Sequence, residues 1–129
     1  MRIQGAEHLD TITTANNLAR VYYEHGWWTE AEKLQLEVLE RRSRIQGAEH
    51  LDTITAAHCL AKTYYEQRRL TEAEKLQLEV LEKRTRIQGA EHLDTIAAAR
   101  KLAGTYYQQG RWAEAEKLQL NVLKNRTRL

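Results

Sequence analysis

The chain has 129 residues and a mass of 15.1 kDa, with 42% hydrophobic and 29% charged residues, which is the composition of one folded domain or one short repeat array. Its 20 basic and 18 acidic side chains leave a net charge of +2, too balanced for a dedicated nucleic-acid binder, and its single cysteine, Cys59, excludes an intramolecular disulfide framework. No apolar run approaches the ~20 residues that span a bilayer, proline and phenylalanine are absent, and the expectation is an all-α protein of the reducing cytoplasm without membrane contact.

The string RIQGAEHLDTI begins at Arg2 and returns at Arg44 and Arg86, a period of 42 residues. The domain therefore reads as a single unit over residues 1–129 with repeats 2–43, 44–85 and 86–127. The first two copies differ at about a quarter of their positions, and a fourth starts at Arg128, so the expectation is a segment of a longer array.

Within the first copy, a helix is predicted from about Leu9 to His25, with Ile12, Ala15, Leu18, Ala19 and Tyr22 on its apolar face and Asp10 in its first turn. Gly26 reads as a left-handed cap. A second helix is predicted after Thr29, where Thr29 and Glu32 fit a capping box. Its apolar face reads as Ala31, Leu34, Val38 and Ile45, and Gly47 ends it. In the second copy Arg68 replaces the turn glycine, which costs about 1 kcal/mol if that site needs a positive φ. In the third copy Ala113 replaces the capping threonine, again a loss of about 1 kcal/mol. Neither helix can bury its face alone, so three stacked pairs predict a right-handed α-solenoid of six helices built from helix-turn-helix repeats.

Leu18-Ala19, Tyr22, Gly26, Ala31 and Val38, with their counterparts Leu60, Ala61, Tyr64, Ala73 and Val80 and then Leu102, Ala103, Tyr106, Gly110, Ala115 and Val122, resemble the tetratricopeptide repeat in its 42-residue, kinesin-light-chain variety. The G-x-E-H-x-D linker, as in Gly5 to Asp10, is similar to that class too. The sequence departs from it at Leu9, Leu51 and Leu93, where proline is frequent, and at Gln35, Gln77 and Gln119, where an aromatic is common. The resemblance implies a protein-interaction module with no catalytic residues and no cofactor. Long arrays of this kind often form the sensing end of fungal nucleotide-binding receptors.

Candidate chemistry is sparse. Glu30/Glu32, Glu72/Glu74 and Glu114/Glu116 are triplicated, which suits helix starts better than a catalytic centre. His8, His50 and His92 form a ladder with Asp10, Asp52 and Asp94, but repeat layers ~8–10 Å apart cannot share one zinc ion, so each histidine is expected to order a helix start. His58 and Cys59 are adjacent and make a poor chelate. Tyr22, Tyr64 and Tyr106 are expected in the core, as are Trp28 and Trp112 at the position of Leu70, whereas Trp27 is expected to be exposed.

Differences between copies concentrate on the first helix. Asn16 becomes His58 and Arg100, Asn17 becomes Cys59 and Lys101, and Arg20 becomes Lys62 and Gly104. Positions 13, 16, 17, 20 and 24 share one stripe, while the exposed second helix hardly varies. By the resemblance this stripe lines the concave surface. The predicted partner-binding groove comprises Asn16, Asn17, Arg20, Tyr23, His58, Lys62, Tyr65, Arg100, Lys101 and Tyr107. Its mildly basic character points to a protein or acidic peptide as partner. An alternative expectation is head-to-tail self-association, in which Val122, Leu123 and Leu129 at one end meet Ile12 and Ala15 at the other.

Overall fold

The computed structural model describes the backbone of residues 4–127 and the side chains of residues 10–125. These form six helices and no strand among the described residues: α1 (Gln4–Glu24), α2 (Trp28–Gln46), α3 (Leu51–Glu66), α4 (Leu70–Gln88), α5 (Leu93–Gln108) and α6 (Trp112–Thr127). Packing runs chiefly between consecutive helices, α1 on α2, α2 on α3 and so on. This is the expected all-α solenoid. Helices α2 and α4 continue through the next Arg-Ile-Gln, so the second and third helix pairs start at Leu51 and Leu93, inside sequence copies that begin at Arg44 and Arg86. Helix α1 starts earlier than expected, at Gln4, which puts Asp10 beyond its first turn; Asp52 and Asp94 do occupy the first turns of α3 and α5.

The turns follow backbone chemistry. Gly26 (φ +80°) and Gly110 (φ +78°) are left-handed, and Arg68 holds the same conformation at φ +65°, where its Cβ is strained. His50 and His92 order their helix starts as predicted: each Nδ1 accepts the backbone N–H of Asp52 or Asp94 at 3.0 Å. His8 lies outside the described side chains.

The predicted capping box is not formed. Helices α2 and α4 start at Trp28 and Leu70, and their N-cap residues Trp27 and Arg69 make no side-chain cap hydrogen bond. Thr29 therefore sits inside the helix, exposed, and Ala113 removes no cap. The glutamate meant for the box is used elsewhere. Glu32 accepts hydrogen bonds from Gln67 (3.1 Å) and Arg69 (2.8 Å) of the next repeat, and Glu74 accepts from Gln109 (3.1 Å) and Arg111 (2.8 Å).

The core repeats with the sequence. Ile12, Val38 and Ala56 form one cluster with Ala15 and Leu39; Ile54, Val80 and Ala98 form the next with Ala57 and Leu81. Each cluster thus takes its alanine from the following repeat. The buried face of the second helix differs from the prediction. It runs through Ala31, Gln35 and Val38 in α2 and through Ala73, Gln77, Val80 and Arg84 in α4, while Ile45 is exposed. The polar members are accepted because they are paired: the Thr63 hydroxyl donates to Gln35 Oε1 and the Thr105 hydroxyl to Gln77 Oε1, both at 2.6 Å. Arg84 reaches Asp94 at 3.6 Å and donates to the Thr55 hydroxyl.

Three aromatic or aliphatic expectations are corrected. Trp112 is 64% exposed rather than core, and Trp28 is only half-buried. Leu18 is 41% exposed although Leu60 and Leu102 are almost wholly buried, because the preceding second helix that covers α3 and α5 has no counterpart over α1 among the described residues. Tyr22, Tyr64 and Tyr106 are half-buried under a lid residue. Trp27 packs on Tyr22 with centroids 5.7 Å apart, and the Arg69 and Arg111 guanidinium groups lie 4.4 and 4.5 Å from the Tyr64 and Tyr106 rings. Trp27 itself is exposed, as predicted.

Thr63→Val is expected to lower stability to urea by about 1–3 kcal/mol, because it strands the buried Gln35 oxygen, and the double variant with Gln35→Leu should recover most of the loss. Arg68→Gly should raise stability, by at most about 1 kcal/mol, by relieving the left-handed residue. Equal unfolding midpoints for Thr63→Val and wild type would refute the first expectation, and a lowered midpoint for Arg68→Gly the second.

Candidate partner-binding groove

The face built by α1, α3 and α5 carries two recesses of about 250 Å³ each. One lies between α1 and α3, lined by Asn16, Arg20, Tyr23, Glu24 and Lys62 over a floor of Gln35, Thr55 and Cys59. The other lies between α3 and α5, lined by Tyr23, Lys62, Tyr65, Glu66, Arg100, Lys101 and Gly104 over Gln77. They are related by the 42-residue period: Arg20, Tyr23, Glu24, Gln35, Cys59 and Lys62 become Lys62, Tyr65, Glu66, Gln77, Lys101 and Gly104. Stacking identical layers places one such recess at each junction.

Seven predicted residues are brought together here: Asn16, Arg20, Tyr23, Lys62, Tyr65, Arg100 and Lys101. Asn17 and Tyr107 are exposed outside both recesses, Tyr107 being 61% exposed. His58 lies half-buried away from both. The prediction omitted the floor residues Gln35 and Gln77. Helical spacing between Ala31 and Val38 was the one signal for them, and hydrophobicity, which ranks glutamine as a surface residue, outweighed it.

The recesses differ in charge and width. The second has three cations, Lys62, Arg100 and Lys101, against one carboxylate, Glu66. Gly104 stands inside α5 where Arg20 and Lys62 stand in the other copies, and a Cβ there would meet nothing within 4 Å. No packing contact calls for this glycine; its effect is to leave one wall of the recess without a side chain. Gln77 has its oxygen committed to Thr105, so the group it can offer is its amide nitrogen, a donor.

Tyr23 joins the two recesses. Its hydroxyl donates to Glu66 at 3.4 Å, and Lys62 Nζ lies 5.1 Å from its ring centroid. Burial, reinforced by the Glu66 charge, pushes the phenol up to about 12, so it remains a donor at neutral pH. Burial also pushes the Cys59 thiol up, against the opposing pull of Lys62, Arg20 and Arg84, the direction that disfavours a thiolate. Among the described residues no group of three or more histidine, cysteine, aspartate or glutamate side chains could hold a metal, and no helix is long and apolar enough to cross a membrane.

A tetratricopeptide repeat family model matches residues 10–77 and 52–128. No curated protein matches the sequence. Among solved structures, a Podosopora anserina protein described as a kinesin light chain with nearly identical TPR-like repeats is 26% identical with a TM-score of 0.79, covering 91% of this chain and 56% of that one. A single-substitution variant of it superposes with a TM-score of 0.80. BtubC (BKLC) from P. vanneervenii, at 20% identity, shows the same fold with a TM-score of 0.89 over 99% of this chain and 50% of that one. The chain thus spans about half the length of these proteins.

Burial first, then the positive charges of Lys62, Arg84 and Lys101, push His58 down to about 4, with Asp94 opposing. An unfolded histidine titrates near ~6.5. Between these values the unfolded chain holds more protons than the folded one, so stability rises with pH across the window and is lost as pH falls through it. The melting temperature should therefore be lower at pH 5 than at pH 7. His58→Asn, which installs the side chain of the first copy, should remove most of that difference; an undiminished difference would show that other groups cause it.

Proposed function

The chain belongs to the tetratricopeptide repeat family, matched over residues 10–77 and 52–128, and we propose that it is an interaction module whose groove on α1, α3 and α5 receives an extended acidic peptide. Tetratricopeptide repeats mediate protein–protein interaction and scaffolding, and theirs is a non-catalytic fold. In this reading the chain performs no catalysis itself.

The observation that carries the reading is the second recess, whose lining holds three cations, Lys62, Arg100 and Lys101, and one carboxylate, Glu66. Arginine and lysine pair with carboxylates through charge-assisted hydrogen bonds, and a partly enclosed recess screens those pairs less than open solvent does. Tyr23 and Tyr65 add apolar area with a polar tip, the chemistry favoured at binding surfaces. Two recesses one repeat apart suit a ligand that runs along the stack and offers acidic groups at intervals. The variable stripe supports the reading further, since it changes from copy to copy while the exposed Glu30 and Lys33 of the second helix do not.

Fluorescence anisotropy with a labelled oligoglutamate peptide tests this. Wild-type protein should bind it with an affinity that falls as salt rises. The triple variant Lys62→Ala, Arg100→Ala, Lys101→Ala should bind at least about tenfold more weakly. The double variant Lys33→Ala, Lys75→Ala, on the exposed second helices, should bind like wild type. Equal losses in both variants would reduce the effect to net charge and sink the groove assignment.

A further inference from the structure

Along the second helices Arg41, Arg42, Arg44, Arg84 and Arg86 each pair with a carboxylate, and in the turns Arg69 and Arg111 do the same. The groove departs from this habit. Arg100, with Lys62 and Lys101 beside it in the recess between α3 and α5, has no carboxylate partner among the described residues. Glu66, the carboxylate of that lining, accepts the Tyr23 hydroxyl instead. At the floor Gln77 is only 4% exposed, its oxygen is held by Thr105, and its amide nitrogen has no partner among the described residues. A donor left in so closed a place marks a position for an acceptor.

Three replacements on one helix set this recess apart. His58, Cys59 and Lys62 of α3 become Arg100, Lys101 and Gly104 of α5. Cations arrive at two positions, and a long side chain is removed at the third. Gly104 lies inside a helix, where glycine is destabilising relative to alanine. Its backbone is not left-handed, and a Cβ would meet nothing within 4 Å, so neither conformation nor packing requires it. The effect that remains is room in the recess. The lining then holds two positive charges in excess, with a neutral donor at its floor. A carboxylate brings one negative charge. A phosphoryl group on a side chain brings close to two and three strong acceptor oxygens, which matches this donor set in both charge and number.

We propose that the recess between α3 and α5 is a phosphoryl pocket, which takes a phosphorylated side chain of the peptide that runs along the groove. Arg100, Lys101 and Lys62 supply charge-assisted donors to its oxygens, the Gln77 amide donates from the floor, and Gly104 gives it room. This inference rests on the groove reading and adds which side chain is taken and where. The recess between α1 and α3 has Arg20 and Lys62 against Glu24, with Cys59 at the position of Lys101, so its smaller excess of charge suits the carboxylates of the same peptide. Two recesses one repeat apart favour a chain over a free ion, and the balanced charge of the whole molecule disfavours a nucleic acid.

Two labelled peptides of equal length and charge test this by fluorescence anisotropy with the full chain: an oligoglutamate with a central phosphoserine–alanine, and the same chain with a central glutamate pair. Wild-type protein should bind the phosphoserine peptide at least about tenfold more tightly. Gly104→Leu fills the recess without changing its charge and should bring the ratio of the two affinities close to one. Arg100→Gln, Lys101→Gln should do so as well, whereas Lys33→Ala, Lys75→Ala should keep the wild-type ratio. Circular dichroism and melting temperature establish that each variant is folded; should Gly104→Leu fail there, the Arg100→Gln, Lys101→Gln variant carries the test. Equal binding of the two peptides would overturn the phosphoryl assignment and leave the groove reading standing, while binding of neither would sink both. A phosphoserine preference that survives every recess variant would place the phosphate elsewhere and overturn the proposal. So would displacement of the phosphoserine peptide by an equal concentration of inorganic phosphate or of an oligouridylate, which would make a free ion or a nucleic acid the ligand.

Discussion

One polar contact recurs at each internal junction and sets the geometry of the rest: a glutamine on the second helix held by a threonine of the next first helix, flanked by a glutamate held by glutamine and arginine. Apolar packing alone is tolerant of small slides and rotations. A buried amide is not, because a displaced glutamine loses its partner where little of the side chain is open to water. The threonine–glutamine bond therefore gives the stack a register, and the glutamate cluster at the rim holds the turn of one repeat against the next. The lid residues follow from the same arrangement: Arg69 and Arg111 reach the preceding glutamates while their guanidinium planes cover Tyr64 and Tyr106.

The groove is a by-product of that register which the first helices then individualise. Equal stacking steps place a recess at each junction, and the glutamine that fixes the step also forms the recess floor. The residues that vary above the floor lie outside the apolar clusters. They can exchange asparagine, histidine and arginine, or arginine, lysine and glycine, without disturbing the layers. Packing and recess lining are thus written on different stripes of one helix, which is why copies so alike in the core can offer recesses of different charge and width.

Fold class, helix number, the glycine turns and the histidine caps were legible in the sequence because each depends on local chemistry: periodicity, positive φ, an imidazole beside a free backbone N–H. The inward face of the second helix was not. Hydrophobicity ranks Ile45 as core and Gln35 and Arg42 as surface, whereas the fold buries Gln35, half-buries Arg42 and exposes Ile45. What decides this is whether a polar group has a partner in another repeat, and that partner lies 28 residues away for Gln35. Thr29 and Glu32 were misread for the same reason, since a local capping box competes with a contact to the next repeat. Trp112 and Leu18 were misjudged because burial at the ends of a stack depends on a neighbour and not on residue type. Of the recess linings, the cationic positions were legible from variation between copies and Tyr23 and Tyr65 from their place one position round the helix from Tyr22 and Tyr64, and the floor was not.

Packing chiefly between consecutive helices has a mechanical consequence. A domain in which first and last elements touch resists tension as a unit, but here no principal contact joins distant layers. Each interface is a separate link in series. Tension applied along the chain would peel helix pairs from an end in sequence. Each released 42-residue unit would add up to ~140 Å of extended chain while the remaining layers kept their register. The molecule is in this sense a short spring with discrete steps, whose step length is written in the period of its sequence.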